Sequence, residues 1–123
     1  MERLRIAVIG CGDVSGGHIR GWLGQPDRAQ VVALADPEAE FAEERKERFE
    51  LPDADVYADW REVMARKDVD VTNICTQGHL HTELIAAAME AGKHVLTEKP
   101  TGWDLEDADL FRDCGHTKKL YIL

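Results

Sequence analysis

Residues 4–16, Leu-Arg-Ile-Ala-Val-Ile-Gly-Cys-Gly-Asp-Val-Ser-Gly, constrain the fold more than any other stretch, because a short β-rich apolar run breaks directly into glycines and then into a helical pattern. A strand, a tight turn and a helix are predicted. Gly10 permits the sharp turn, and Gly12 removes the side chain that would hold a phosphate away from the backbone. The helix opening near Val14 points its free N–H groups and the positive end of its dipole at the same spot. The run Gly10, Cys11, Gly12, Asp13 and Val14 is therefore the candidate seat of a pyrophosphate. The third glycine of a dinucleotide-binding fingerprint falls where Ser15 stands, with Gly16 and Gly17 behind it. Serine is small enough for close helix-to-strand packing, so the turn is expected to be kept.

A glycine-rich turn is common, and the second strand strengthens it. Val31-Val32-Ala33-Leu34-Ala35 ends at Asp36, twenty positions after Gly16. A carboxylate at that tip can accept both hydroxyl hydrogens of an adenosine ribose and would repel a 2′-phosphate. Pro37 follows, so no arginine adjoins Asp36 to receive such a phosphate, and NAD is favoured over NADP. Asp36 could instead simply cap the helix that starts at Pro37 and Glu38. With the glycines in register, the cofactor reading is preferred.

The 123 residues are one domain's length, and 44% hydrophobic content suffices for a core. Residues 1–123 are read as one dinucleotide-binding domain. A formal net charge of −9, from 15 Lys and Arg against 24 Asp and Glu, opposes phosphate backbones and anionic lipid, which argues against nucleic-acid and membrane partners. Local donors must hold any dinucleotide. Cys11, Cys75 and Cys114 are an odd number without C-x-x-C spacing, which argues against a disulfide framework or zinc knuckle and for a reducing cytoplasm. No charged-then-apolar stretch is read ahead of Leu4 and no apolar run approaches membrane-spanning length, so a soluble, unsecreted protein is expected.

Further along, Ile19, Trp22 and Leu23 repeat at helical spacing before Gly24-Gln25-Pro26. Glu38–Glu50 reads as a mostly solvated helix with a thin stripe of Phe41, Ala42 and Phe49, and Ala54–Tyr57 as a short third strand. Asp59 and Glu62 form a capping-box arrangement ahead of Trp60, Val63 and Met64, with Trp60 assigned to the core. A fourth strand over Val69–Cys75 ends in the turn Thr76-Gln77-Gly78. A helix from His79 to Ala91 turns Leu80, Leu84, Ile85 and Ala88 inward and closes at Gly92. His94–Thr97 is the fifth strand, Asp104 and Asp107 open a last helix, and Lys119–Leu123 is the sixth strand. Alternating strands and helices with short connections predict an α/β fold, a doubly wound parallel sheet in the order 3-2-1-4-5-6. His79, His81 and His94 do not make a recognisable ligand set, and no metal site is expected.

Ile9-Gly10-Cys11-Gly12, Asp36-Pro37, Thr76 with His81, Ala91-Gly92-Lys93-His94-Val95 and Glu98-Lys99-Pro100 stand in one order. Over its whole length the chain resembles the N-terminal domain of the Gfo/Idh/MocA oxidoreductases, the glucose-fructose oxidoreductase and inositol dehydrogenase family. The Ala-Gly-Lys-His-Val run followed by Glu-Lys-Pro is the most specific part. The resemblance implies hydride transfer between a nicotinamide cofactor and a sugar, polyol or related compound. It puts Gly10 and Gly12 at the pyrophosphate, Asp36 at the adenosine ribose, Thr76 beside the inner ribose, and Glu98 and Lys99 near the nicotinamide, with His81 also among the cofactor-binding residues. Lys99 becomes the candidate catalytic residue, for proton transfer or for binding a substrate hydroxyl; equally, Glu98 and Lys99 could be an ion pair that holds the loop.

Gln77 and Gly78 depart from the Pro-Asn usual in the family at that turn. The resemblance also implies a C-terminal substrate domain that this chain lacks, so the isolated chain is expected to be inactive. The alternative is a non-catalytic dinucleotide-binding or sensing module. Leu120–Leu123, an apolar run expected at the sheet edge, predicts a homo-oligomer. His18 follows the glycine turn, where the family often has a histidine, and is otherwise a partly buried structural residue. Cys11 reads as a small turn filler.

Overall fold

The computed structural model describes residues 3–76 and 80–97, together with the backbone of residues 120–122. Its elements are β1 (Leu4–Ile9), α1 (Ser15–Leu23), β2 (Ala29–Ala35), α2 (Ala39–Arg48), β3 (Asp55–Tyr57), α3 (Trp60–Met64), β4 (Val71–Ile74), α4 (His81–Glu90), β5 (His94–Thr97) and β6 (Leu120–Ile122). One parallel sheet takes the order β3-β2-β1-β4-β5-β6, the doubly wound order expected from the alternation of strands and helices. The expected helix after Asp104 lies outside the described residues.

Both faces of the sheet are covered, which is why the central strands read as unbroken apolar runs rather than alternating ones. Ile6, Val8, Val31, Leu34 and Val71 face one way and pack with Ile19 of α1 and Ala42 of α2. Ala7, Ile9, Ala33, Ala35, Ile74 and Val95 face the other way and pack with Val63 of α3 and Leu84, Ile85 and Ala88 of α4. The pairing of β1 with β2 slips between Ile6 and Ala7, so that Val32 has no partner in β1. Its carbonyl accepts instead from the Arg66 guanidinium at 3.2 Å.

Three inward assignments made from spacing are corrected. Leu23, Phe41 and Leu80 are exposed. Leu23 is the last residue of α1, Phe41 stands on a helix that buries Ala42 alone, and Leu80 precedes α4 as its N-cap, so none of the three lies on the stripe that meets the sheet. The capping role of Asp59 holds, with its carboxylate accepting from the Arg61 N–H at 2.9 Å.

Candidate functional site

The glycine turn has the shape its sequence demands. Gly10 sits at φ +94, and a β-carbon there would lie 2.8 Å from the Cys75 carbonyl carbon and 2.9 Å from the Thr76 nitrogen, so β1 and β4 close on each other only over a glycine. At Gly12 the reverse holds. A β-carbon would meet nothing within 4 Å. The turn is tight beneath and open above.

Helix α1 begins at this opening without the usual closures. Its N-cap, Val14, offers no side-chain hydrogen bond and its first turn carries no acid, whereas α2, α3 and α4 each have an acidic residue in the first turn and α3 is capped by Asp59. The Ser15 N–H turns back to the Gly12 carbonyl at 3.1 Å, and no side chain caps this end, so the positive end of α1 stands open. Asp13 and Val14 are exposed beside it.

Asp36 is tied to the turn. One carboxylate oxygen accepts from the Cys11 N–H at 2.8 Å and the other from the Glu38 N–H at 2.9 Å, so it links the turn to the start of α2. Asp36 thus braces the chain after β2 just ahead of α2, whose N-cap is Glu38, and each of its oxygens keeps a lone pair for a further donor. Cys11 fills the turn. It is buried, its thiol lies 3.6 Å from the Ala35 carbonyl, and burial, helped by the Asp36 charge, pushes that thiol up to about 12, far from thiolate reactivity.

Beside Asp36 a cleft of about 290 Å³ opens at the carboxyl ends of the central strands. Gly10, Asp36, Trp60, Arg61, Thr76 and Leu80 are among its lining residues, and its walls are mainly apolar. Trp60 has a double place: it packs against the core, as its spacing implied, and also lines the cleft, with the Arg61 guanidinium 4.7 Å from its ring. Thr76 Oγ1 is buried without a hydrogen-bond partner, a condition shared among the described residues by Thr82, which does not line the cleft. A buried hydroxyl without a partner beside a cleft is a position that a ligand hydroxyl can satisfy.

His81 is almost wholly buried as the first residue of α4. Its Nε2 lies 2.9 Å from the Thr76 carbonyl, which can only accept, so Nε2 carries the proton. Its Nδ1 lies 3.5 Å from the Thr97 hydroxyl. The imidazole thus joins the ends of β4 and β5 and holds Thr76 in place from behind. His18 is half-buried on α1, with Nδ1 3.0 Å from the Asn73 amide, whose oxygen accepts from Trp22 Nε1 at 2.8 Å. That is a brace between α1 and β4. Glu98 and Lys99 lie outside the described residues, as do Gln77, Gly78 and His79.

Sequence spacing missed Arg45, whose side chain reaches from α2 to the glycine turn, and Arg61, which lines the cleft. Both come from helices thirty or more positions along the chain and carry no local signal beyond charge. Among the described residues no group of three or more His, Cys, Asp or Glu is arranged to hold a metal ion, and no helix is long and apolar enough to cross a membrane.

A doubly wound parallel sheet whose first strand turns over glycines into an uncapped helix, with an acid at the tip of its second strand, defines a dinucleotide-binding Rossmann domain. Residues 4–121 match the family model described as an oxidoreductase family with an NAD-binding Rossmann fold, and the chain belongs to that family, Gfo/Idh/MocA. It is 31% identical over 129 aligned positions to levoglucosan dehydrogenase of Pseudarthrobacter phenanthrenivorans, an alignment that covers 98% of this chain and 32% of that protein. Among solved structures, the WlbA dehydrogenase of Chromobacterium violaceum in complex with NADH and UDP-GlcNAcA superposes with a TM-score of 0.90 at 26% identity, covering 100% of this chain and 35% of that one. A 3-ketoreductase of Actinomadura kijaniata in complex with TDP-benzene and NADP gives 0.83 at 29% identity, over 92% of this chain and 35% of that one. The chain thus spans about a third of the length of these proteins.

Proposed function

We propose that this chain is the cofactor-binding part of an NAD-dependent dehydrogenase acting on a sugar, polyol or related alcohol. What carries the reading is the turn, open over Gly12 and braced by the Asp36 carboxylate through the Cys11 N–H. In this reading Gly10, Cys11, Gly12, Asp13 and Val14 form the pyrophosphate seat, Asp36 accepts the adenosine ribose hydroxyls, and Thr76, steadied by His81, meets the inner ribose. Glu98 and Lys99 stand near the nicotinamide, and Lys99 takes the proton of the substrate hydroxyl. Bound there, NAD supplies the hydride acceptor. In this reading turnover further requires a substrate pocket supplied by a further domain, which accords with relatives about three times as long as this chain.

Asp36 carries the choice of cofactor, because a 2′-phosphate would meet its carboxylate. Titration calorimetry is expected to show tighter binding of NAD than of NADP. Asp36→Ala is expected to weaken NAD by about tenfold, the worth of a charged hydrogen-bonding partner, while NADP changes little or improves. Equal affinities in the unaltered protein would remove Asp36 from this role. The proposal extends to a cytoplasmic homo-oligomer, since β6 ends the strand order and an edge strand presents unpaired N–H and C=O groups. Sedimentation should show a mass above the monomer at micromolar concentration, and a monomer throughout would defeat this part.

A further inference from the structure

Ser15 occupies the place of the fingerprint's third glycine, and the structure shows what its hydroxyl is engaged in. Ser15 is fully buried, and its Oγ donates to the Gly12 carbonyl at 2.6 Å. Arg45 reaches the same two residues from α2, with Nε donating to Ser15 Oγ at 3.1 Å and Nη2 to the Gly12 carbonyl at 3.2 Å. Its side chain is only 11% exposed, and its remaining nitrogen pairs with Glu44. The Gly12 carbonyl also accepts from the Ser15 N–H at 3.1 Å, so three donors converge on one oxygen.

This convergence acts on the other side of the peptide. In a planar trans peptide the N–H points opposite to the C=O. Holding the Gly12 carbonyl toward α2 therefore aims the Asp13 N–H away from α2. We infer that Arg45 is a positioning residue for the dinucleotide: with Ser15 it clamps the Gly12 carbonyl so that the turn's outward N–H groups are set for a pyrophosphate before one arrives. The planar fork suits this, because it meets two acceptors at fixed separation where a lysine ammonium would meet them as a point charge. Preorganised donors bind an anion more tightly than donors that must first be ordered.

The inference rests on the reading of this turn as the pyrophosphate seat, and one set of titrations separates the two. NADH, ADP and adenosine are titrated into the protein and into Arg45→Met, Arg45→Lys, Ser15→Ala and Gly12→Val, with the unfolding midpoint of each followed. Arg45→Met and Ser15→Ala are expected to weaken NADH and ADP by about tenfold, the scale of one charge-assisted hydrogen bond, and adenosine by less than about twofold. The pair combined should lose less than the sum of the two, since both act on one carbonyl. Should Arg45→Met fail to fold, Ser15→Ala and Arg45→Lys give the same discrimination. An equal loss for adenosine would make Arg45 a general brace and overturn the inference, as would unchanged NADH affinity in the variants of Arg45 and Ser15 when Gly12→Val abolishes binding. If Gly12→Val itself binds NADH normally, the seat lies elsewhere and both readings fall.

Discussion

The two ends of the sheet are built from similar residue types and differ in what is left over. At the amino end, near the starts of β4 and β5, polar groups are used up on one another. Lys93 is buried with its ammonium donating to the carbonyls of Arg66 and, at 3.3 Å, of Val69. Arg66 in turn bonds Asp68, Asp55 and Tyr57, and Arg5 forks onto Asp70. At the carboxyl end, α1 has no cap, Thr76 has a buried hydroxyl without a partner, and Asp36 keeps acceptor capacity. Charge by itself does not mark a site. Unused hydrogen-bonding capacity that borders a cleft, as at Thr76 and not at the equally unpartnered Thr82, is what distinguishes the carboxyl end.

The largest effects should come from the turn, where two glycines two positions apart do opposite things. Gly10→Ala combines a left-handed backbone with contacts below 3 Å to backbone atoms of Cys75 and Thr76. A destabilisation of about 2–6 kcal/mol is expected from strain and overpacking together, read from the urea midpoint. Gly12→Val, with open space around it, should leave that midpoint nearly unchanged and remove NADH binding. If both variants fail in the same way, the turn is not tight beneath and open above, and the contrast between the two glycines disappears.

Next in size is the closed end. Lys93→Met keeps the aliphatic stem and withdraws the ammonium from two carbonyls, so a loss of about 2 kcal/mol of stability is expected. NADH affinity should stay within about twofold, because binding draws on none of these groups. A variant that keeps its stability but loses cofactor would move function to this end of the sheet. Such a result would reverse the comparison.

The same contrast shows how much was legible beforehand. The sheet order could be read because short apolar runs alternate with helical patterns, and a glycine turn after the first strand points to the dinucleotide-binding member of the doubly wound orders. The tight turn at Gly10 and the place of Asp36 at the tip of β2 could be read because turn geometry and strand tips are local properties. Arg45, Arg61 and Asn73 could not, since their roles depend on which helix or strand lies alongside, and α2, with a single buried residue, Ala42, carries little pattern to orient it. The run Ala91–Val95, the most family-specific stretch, has a structural role: Gly92, at φ +80, ends α4, Lys93 binds carbonyls, and Val95 enters the core. Resemblance located this stretch without showing what it does.

The smallest expected effect is a pH dependence confined to the closed end. The hydrogen bond from the Arg66 guanidinium holds the Asp68 carboxyl down at about 2, and the bond from Arg5 lowers Asp70. A carboxylate whose folded value lies below its unfolded one, about 3.9, stabilises the fold while both states are ionised, and that contribution is lost as pH falls through the folded value. Stability should therefore be level above about pH 5 and fall progressively between about pH 4 and 2. Both side chains are partly exposed, so screening keeps the change modest, and added salt should shrink it further. Asp68→Asn should flatten the acid limb of a plot of unfolding midpoint against pH, and Asp70→Asn should flatten it less. A limb that Asp68→Asn leaves as steep as before would mean that this ion pair does not secure the closed end, and that the buried Lys93 contacts hold it without help from the carboxylates around them.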